Sequence, residues 1–121
     1  MEKNNPILQL KYAIQALSLQ AEDQLHNFPD FVDVTDELLL DFDHWYTIAI
    51  SNYPGYFSAG QLKHLKELDV LTNKLPRQKK NETIEDELKR SPFWKQMRSL
   101  AKATLKQFGW RSEMPPLNRM P

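Results

Sequence analysis

The chain predicts an all-α protein: an antiparallel bundle of four main helices plus one short helix, followed by an extended C-terminal tail. Three observations carry this. Glycine is scarce, at three residues, and Leu, Lys, Glu, Gln and Ala dominate, which are good helix formers. Apolar residues recur at helical spacings of three and four through most of the chain. Cap and stop residues stand at the ends of the periodic stretches. Short connections between amphipathic helices favour antiparallel neighbours. At 121 residues one domain is expected, over 1–109, with 110–121 as the tail.

The first predicted helix covers 6–26. Pro6 suits the first helical position, where its missing N–H would be unpaired anyway. Leu10, Ile14, Leu17, Ala21 and Leu25 form its inward stripe, and Phe28-Pro29 ends it, because the residue before proline resists the helical conformation. A short connector, 30–34, should tuck Phe31 and Val32 against the core. Asp33 or Thr35 can cap the second helix, with Asp36 and Glu37 at the positive end of its dipole. That helix runs to about residue 52, with Leu38, Phe42, Trp45 and Ala49 inward and Leu39, Tyr46 and Ile50 widening the stripe.

An aromatic turn, Tyr53 to Phe57, leads to Ser58 and Gln61, the two ends of a capping box for a third helix over 58–75. Leu62, Leu65, Leu68, Thr72 and Leu75 give its inner face, and Pro76 stops it. A basic loop, 77–81, follows. Thr83 begins the short helix, whose first turn holds Glu85, Asp86 and Glu87. Ser91-Pro92 restarts the chain as cap and first position of the last helix, 92–108, which Gly109 ends.

The charges are unevenly placed. Between Lys11 and Lys63 there is no Lys or Arg, yet eight carboxylates lie there; from Lys63 onward 14 Lys/Arg face seven acids. A formal net charge of zero therefore conceals an acidic middle and a basic C-terminal half. Charge of one sign crowded on a surface serves solubility, intramolecular pairing or a partner.

On the second helix, Asp36, Glu37, Asp41, Asp43 and His44 fall around the side opposite the core stripe, with Leu40 among them at a position that points to water. A leucine rimmed by carboxylates is a local anchor for a partner with a basic surface. The alternative is that the connector over 30–34 covers Leu40. On the last helix, Lys95, Arg98, Lys102 and Lys106 follow one another at spacings of three, four and four, and no acid lies between Leu88 and Glu113. This stripe suits nucleic-acid phosphates or an acidic partner; its plainer reading is a solvated lysine face. No recognition-helix pattern accompanies it.

Catalytic signals are weak. Cysteine is absent, which removes thiol nucleophiles, disulfides and thiolate metal sites. Ser58 and Ser91 are accounted for as caps, and there is no glycine-rich phosphate loop. Asp41, Asp43 and His44 are potential metal ligands, but Asp43 points away from the other two, and no His-Glu-x-x-His or paired Glu-x-x-His pattern is present. The expectation is thus no enzyme, no metal and no cofactor. No apolar run approaches the length that crosses a bilayer, and the N-terminal residues lack a secretory pattern, so a cytoplasmic protein without membrane contact is expected.

The leading functional expectation is a non-catalytic protein-binding module acting through Asp36, Glu37, Leu40, Asp41, Asp43 and His44. A specific form is an immunity-type inhibitor of a basic toxin or nuclease. The alternative is a nucleic-acid-binding accessory protein using Lys95, Arg98, Lys102 and Lys106. A third expectation joins the two faces in a homo-oligomer.

Overall fold

In a computed structural model the protein is all-α, and the structure describes residues 5–29, 32–76 and 82–116. Among them are six helices: α1 (Pro6–Ser18), α2 (Ala21–His26), α3 (Val34–Asn52), α4 (Ala59–Thr72), α5 (Ile84–Arg90) and α6 (Pro92–Phe108). The four long ones make the bundle. α1 packs against both α3 and α6, α4 packs against α6, and short α5 bridges α6 and α2. The start of α4 meets the end of α6, where Gly60 lies beside Gln107, so this pair runs antiparallel. Leu10, Ile14, Leu17, Leu38, Phe42, Leu65, Leu68, Trp94, Met97 and Leu105 form the centre of the core.

The caps expected from the sequence act where it places them, and Asn5 is one it did not single out. The Asn5 side chain accepts from the Ile7 N–H at the start of α1. Asp33 rather than Thr35 caps α3, accepting the Asp36 N–H at 3.2 Å while the Thr35 hydroxyl donates to it at 2.6 Å. Ser58 and Gln61 close their capping box reciprocally at 3.1 and 2.9 Å. Ser91 ends α5 and begins α6. Gly109 follows α6 with φ of 72°, a left-handed conformation that glycine adopts without steric cost.

Two boundaries differ from the sequence expectation. The predicted helix over 6–26 is broken: Leu19 and Gln20 are extended, with ψ of 155° and 157°. Breaking a helix orphans carbonyls, and side chains from elsewhere satisfy them here. Gln24 Nε2 donates to the Ala16 and Leu17 carbonyls, each at 3.2 Å, and Arg98 Nε donates to the Leu19 carbonyl at 3.0 Å. The inward stripe survives the jog, with Leu10, Ile14, Leu17 and Ala21 buried and Leu25 half-buried. α4 ends at Thr72 rather than residue 75, because the Thr72 hydroxyl and the Asn73 amide both donate to the Asp69 carbonyl and turn the chain. Leu62, expected on the inner face of α4, is exposed.

Residues 110–116 carry no helix but lie back on the bundle. Trp110 stacks on Phe108, with ring centroids 4.1 Å apart, and the Arg111 carbonyl accepts from Gln15 Nε2 at 2.9 Å. Pro115 is buried, and its carbonyl accepts from Asn27 Nδ2. These contacts explain why Gln15, a long polar side chain, sits 1% exposed within α1. Val32 packs against the core as expected, whereas Phe31 and the basic loop 77–81 lie outside the described residues.

Candidate functional site

α3 positions the acid-rich residues. Phe42 and Leu38 anchor one side of the helix in the core, which turns Leu40 directly outward, 62% exposed. Around Leu40, Asp36, Asp43 and His44 are exposed, and Glu37 and Asp41 are half-buried. The His44 ring meets Trp45 edge-on at 4.6 Å. Among the described residues no Lys or Arg forms an ion pair with Asp36, Glu37 or Asp43. The ion pair Lys89–Glu85, at 2.8 Å, is internal to α5.

The predicted basic stripe divides. Lys95, Lys102 and Lys106 are exposed along α6. Arg98 is half-buried and turned the other way, toward α2 and α5. Its Nη2 donates to Gln24 Oε1 at 3.1 Å and to the Leu88 carbonyl, in addition to the Nε bond to Leu19. Burial pulls its pKa down, though a guanidinium stays charged in any protein. Arg98 is therefore spent on holding three segments together.

A groove that sequence reasoning missed runs between α4 and α6, with a volume of about 690 Å³. Val70, Leu71, Leu100 and Ala103 make its apolar floor; Lys63, Lys66 and Glu67 of α4, and Lys74 just past its end, stand along one side. Part of the signal was present: residues 63, 66, 67 and 70 share one stripe of α4 and Lys74 follows its end, three lysines and one glutamate around a valine. What the sequence could not show is which stripe of α6 would complete the floor.

Glu87, in the first turn of α5, is buried. Burial pushes its carboxyl above the usual glutamate range; Trp94 Nε1, donating at 3.2 Å, opposes this, and the carboxylates of Glu82, Asp33 and Asp36 add to it. Burial also raises the Tyr46 phenol, with the Asp69 charge contributing. In the aromatic turn, Phe57 closes the bundle end against Phe108, while Tyr53 and Tyr56 are exposed.

Of the three histidines, His26 and His44 are exposed, and His64 Nδ1 lies 3.0 Å from the Gly60 carbonyl. Among the described residues no group of three or more His, Asp or Glu is placed to hold a metal ion. None of the described helices is long and apolar enough to cross a membrane. Ser58 and Ser91 act as caps, accepting backbone N–H bonds from Gln61 and Phe93. Comparison with protein-family models, curated proteins and solved structures yields no match.

Proposed function

We propose that the protein is a non-catalytic, cytoplasmic binding module whose outward α3 face engages a protein with a basic surface. The observation that carries this reading is Leu40, 62% exposed, with Asp36 and Asp43 exposed on either side of it along the helix. An aliphatic side chain at the centre of a charged rim supplies desolvation energy, while the rim supplies steering and register. In its specific form the partner is a toxin nuclease, and the carboxylates of α3 occupy its basic, nucleic-acid-binding cleft as an immunity protein would. The absence of cysteine is in keeping with a reducing compartment.

The test replaces Glu37, Asp41 and Asp43 with serine and compares partner capture with the unaltered chain at low salt. The expected result is loss of the partner, with the unaltered chain also losing it as salt rises to ~0.5 M. Undiminished capture by the triple variant would refute the reading. The nucleic-acid alternative has less support, because Arg98 is engaged within the fold and three exposed lysines remain of the four-residue stripe.

A further inference from the structure

The α4/α6 groove and the outward face of α3 are opposite in charge, each around an exposed aliphatic side chain, and we infer that the first receives the second from another copy of this chain. The groove has a floor of Val70, Leu71, Leu100 and Ala103 and carries Lys63, Lys66 and Lys74 beside it. Val70 is 44% exposed, so its methyls are open to an incoming side chain. Lys66 lies four residues before Val70, about 6 Å away at 1.5 Å per helical residue, while Lys74 follows the end of α4 and lines the groove beyond Val70; Glu67, between Lys66 and Val70, is the one acid in the lining. On α3, Asp36 lies four residues before Leu40 and Asp43 three after, about 6 and 4.5 Å away. Seating Leu40 against Val70 therefore brings one α3 carboxylate over Lys66 and turns the other toward Lys74, and the three lysines of the lining outnumber Glu67. This is helix-in-groove recognition with a single aliphatic anchor and a charged frame.

The two surfaces cannot meet within one molecule. α1 packs between α3 and α6, and Leu40 and the groove both face away from the core. The contact is heterologous, since one copy offers its α3 and the other its groove. Each associated pair keeps one free surface of each kind, so assembly continues beyond a dimer unless a ring closes. The inference rests on the α3 face being a binding surface and names a further partner for it.

The experiment is sedimentation equilibrium of the full chain, from ~10 μM to ~1 mM, at ~20 mM and ~300 mM salt. The unaltered chain is expected to show a mass that grows with concentration at low salt and falls toward the monomer at high salt. Leu40→Lys and Val70→Asp alter exposed positions, and circular dichroism checks that each still folds. Each alone should weaken association by about tenfold or more. Mixed in equal amounts, they should recover a one-to-one complex that grows no further, because one retains the groove and the other the α3 face. A chain monomeric to ~1 mM at low salt would overturn the inference, as would association indifferent to both substitutions. Partner capture separates the two readings. Val70→Asp still capturing a basic protein, with no self-association in any sample, sinks only the second-copy contact. Self-association that follows the predicted pattern, with no basic protein captured, sinks only the reading of a different protein as partner.

Discussion

Replacing Arg98 with methionine keeps the aliphatic stem and removes the guanidinium, which leaves the Leu19 and Leu88 carbonyls and Gln24 Oε1 without their donor. A hydrogen bond from a charged donor contributes about 1.5–3 kcal/mol when fully buried, but Arg98 is half-buried and water can partly replace it. About 0.7–1 kcal/mol for each of the three acceptors gives a loss of about 2–3 kcal/mol. At about 2 cal/mol/K of unfolding entropy per residue, a chain of 121 residues loses roughly 4 °C per kcal/mol, so Tm should fall by about 8–12 °C. The control is Lys102→Met on the exposed side of the same helix, expected within ~0.5 kcal/mol, or about 2 °C, of the unaltered chain. Arg98→Lys should fall between the two, because an ammonium cannot span the separate acceptors of the planar fork. Thermal melts followed by circular dichroism read all three, and urea titration checks that the unfolding slope is unchanged. If Arg98→Met melted within 2 °C of Lys102→Met, the assignment of Arg98 to the α1–α2 junction would be wrong, and its place in a surface stripe would have to be reconsidered.

Two further substitutions test the energetics. Glu87 holds its proton more tightly folded than unfolded, so its titration contributes stability that is complete below the ordinary glutamate range and is lost as pH rises through the raised value. Glu87→Gln removes that loss while keeping a carbonyl to accept from Trp94. Its stability relative to the unaltered chain should therefore rise between about pH 4 and pH 7 in urea titrations; a flat or falling difference would contradict the burial argument. Gly109→Ala places a β-carbon at φ of 72°, where nothing lies within 4 Å, so its cost is purely backbone strain. About 1 kcal/mol, or roughly 4 °C in Tm, is expected, and an unchanged melt would show that the left-handed stop of α6 is not needed.

Local chemistry alone settled the fold class, the caps and the inward stripes of α1, α3 and α6, though not that of α4, where Leu62 is exposed. Asn5, Asp33, Ser58, Thr83 and Ser91 begin helices, and Gly109 ends one, because these preferences arise within a few residues of chain. The outward setting of Leu40 was equally legible, since helical periodicity places it opposite Phe42. The jog at Leu19 and Gln20 was not. The apolar spacing continues through it, and the donor that stabilises the Leu19 carbonyl comes from Arg98, 79 residues away. The same distance in sequence explains the misread stripe, for periodicity groups Arg98 with Lys95, Lys102 and Lys106 and says nothing of the carbonyls it meets. The burial of Glu87 was not legible either, because the Trp94 that donates to it stands on the next helix. The groove needed two helices at once: α4 supplied Lys63 and Lys66 in one visible stripe, but its floor exists only where α6 lies beside it. Preferences set within a helical turn can be read from neighbouring residues, whereas long-range hydrogen bonds and surfaces shared between helices depend on how the chain returns upon itself.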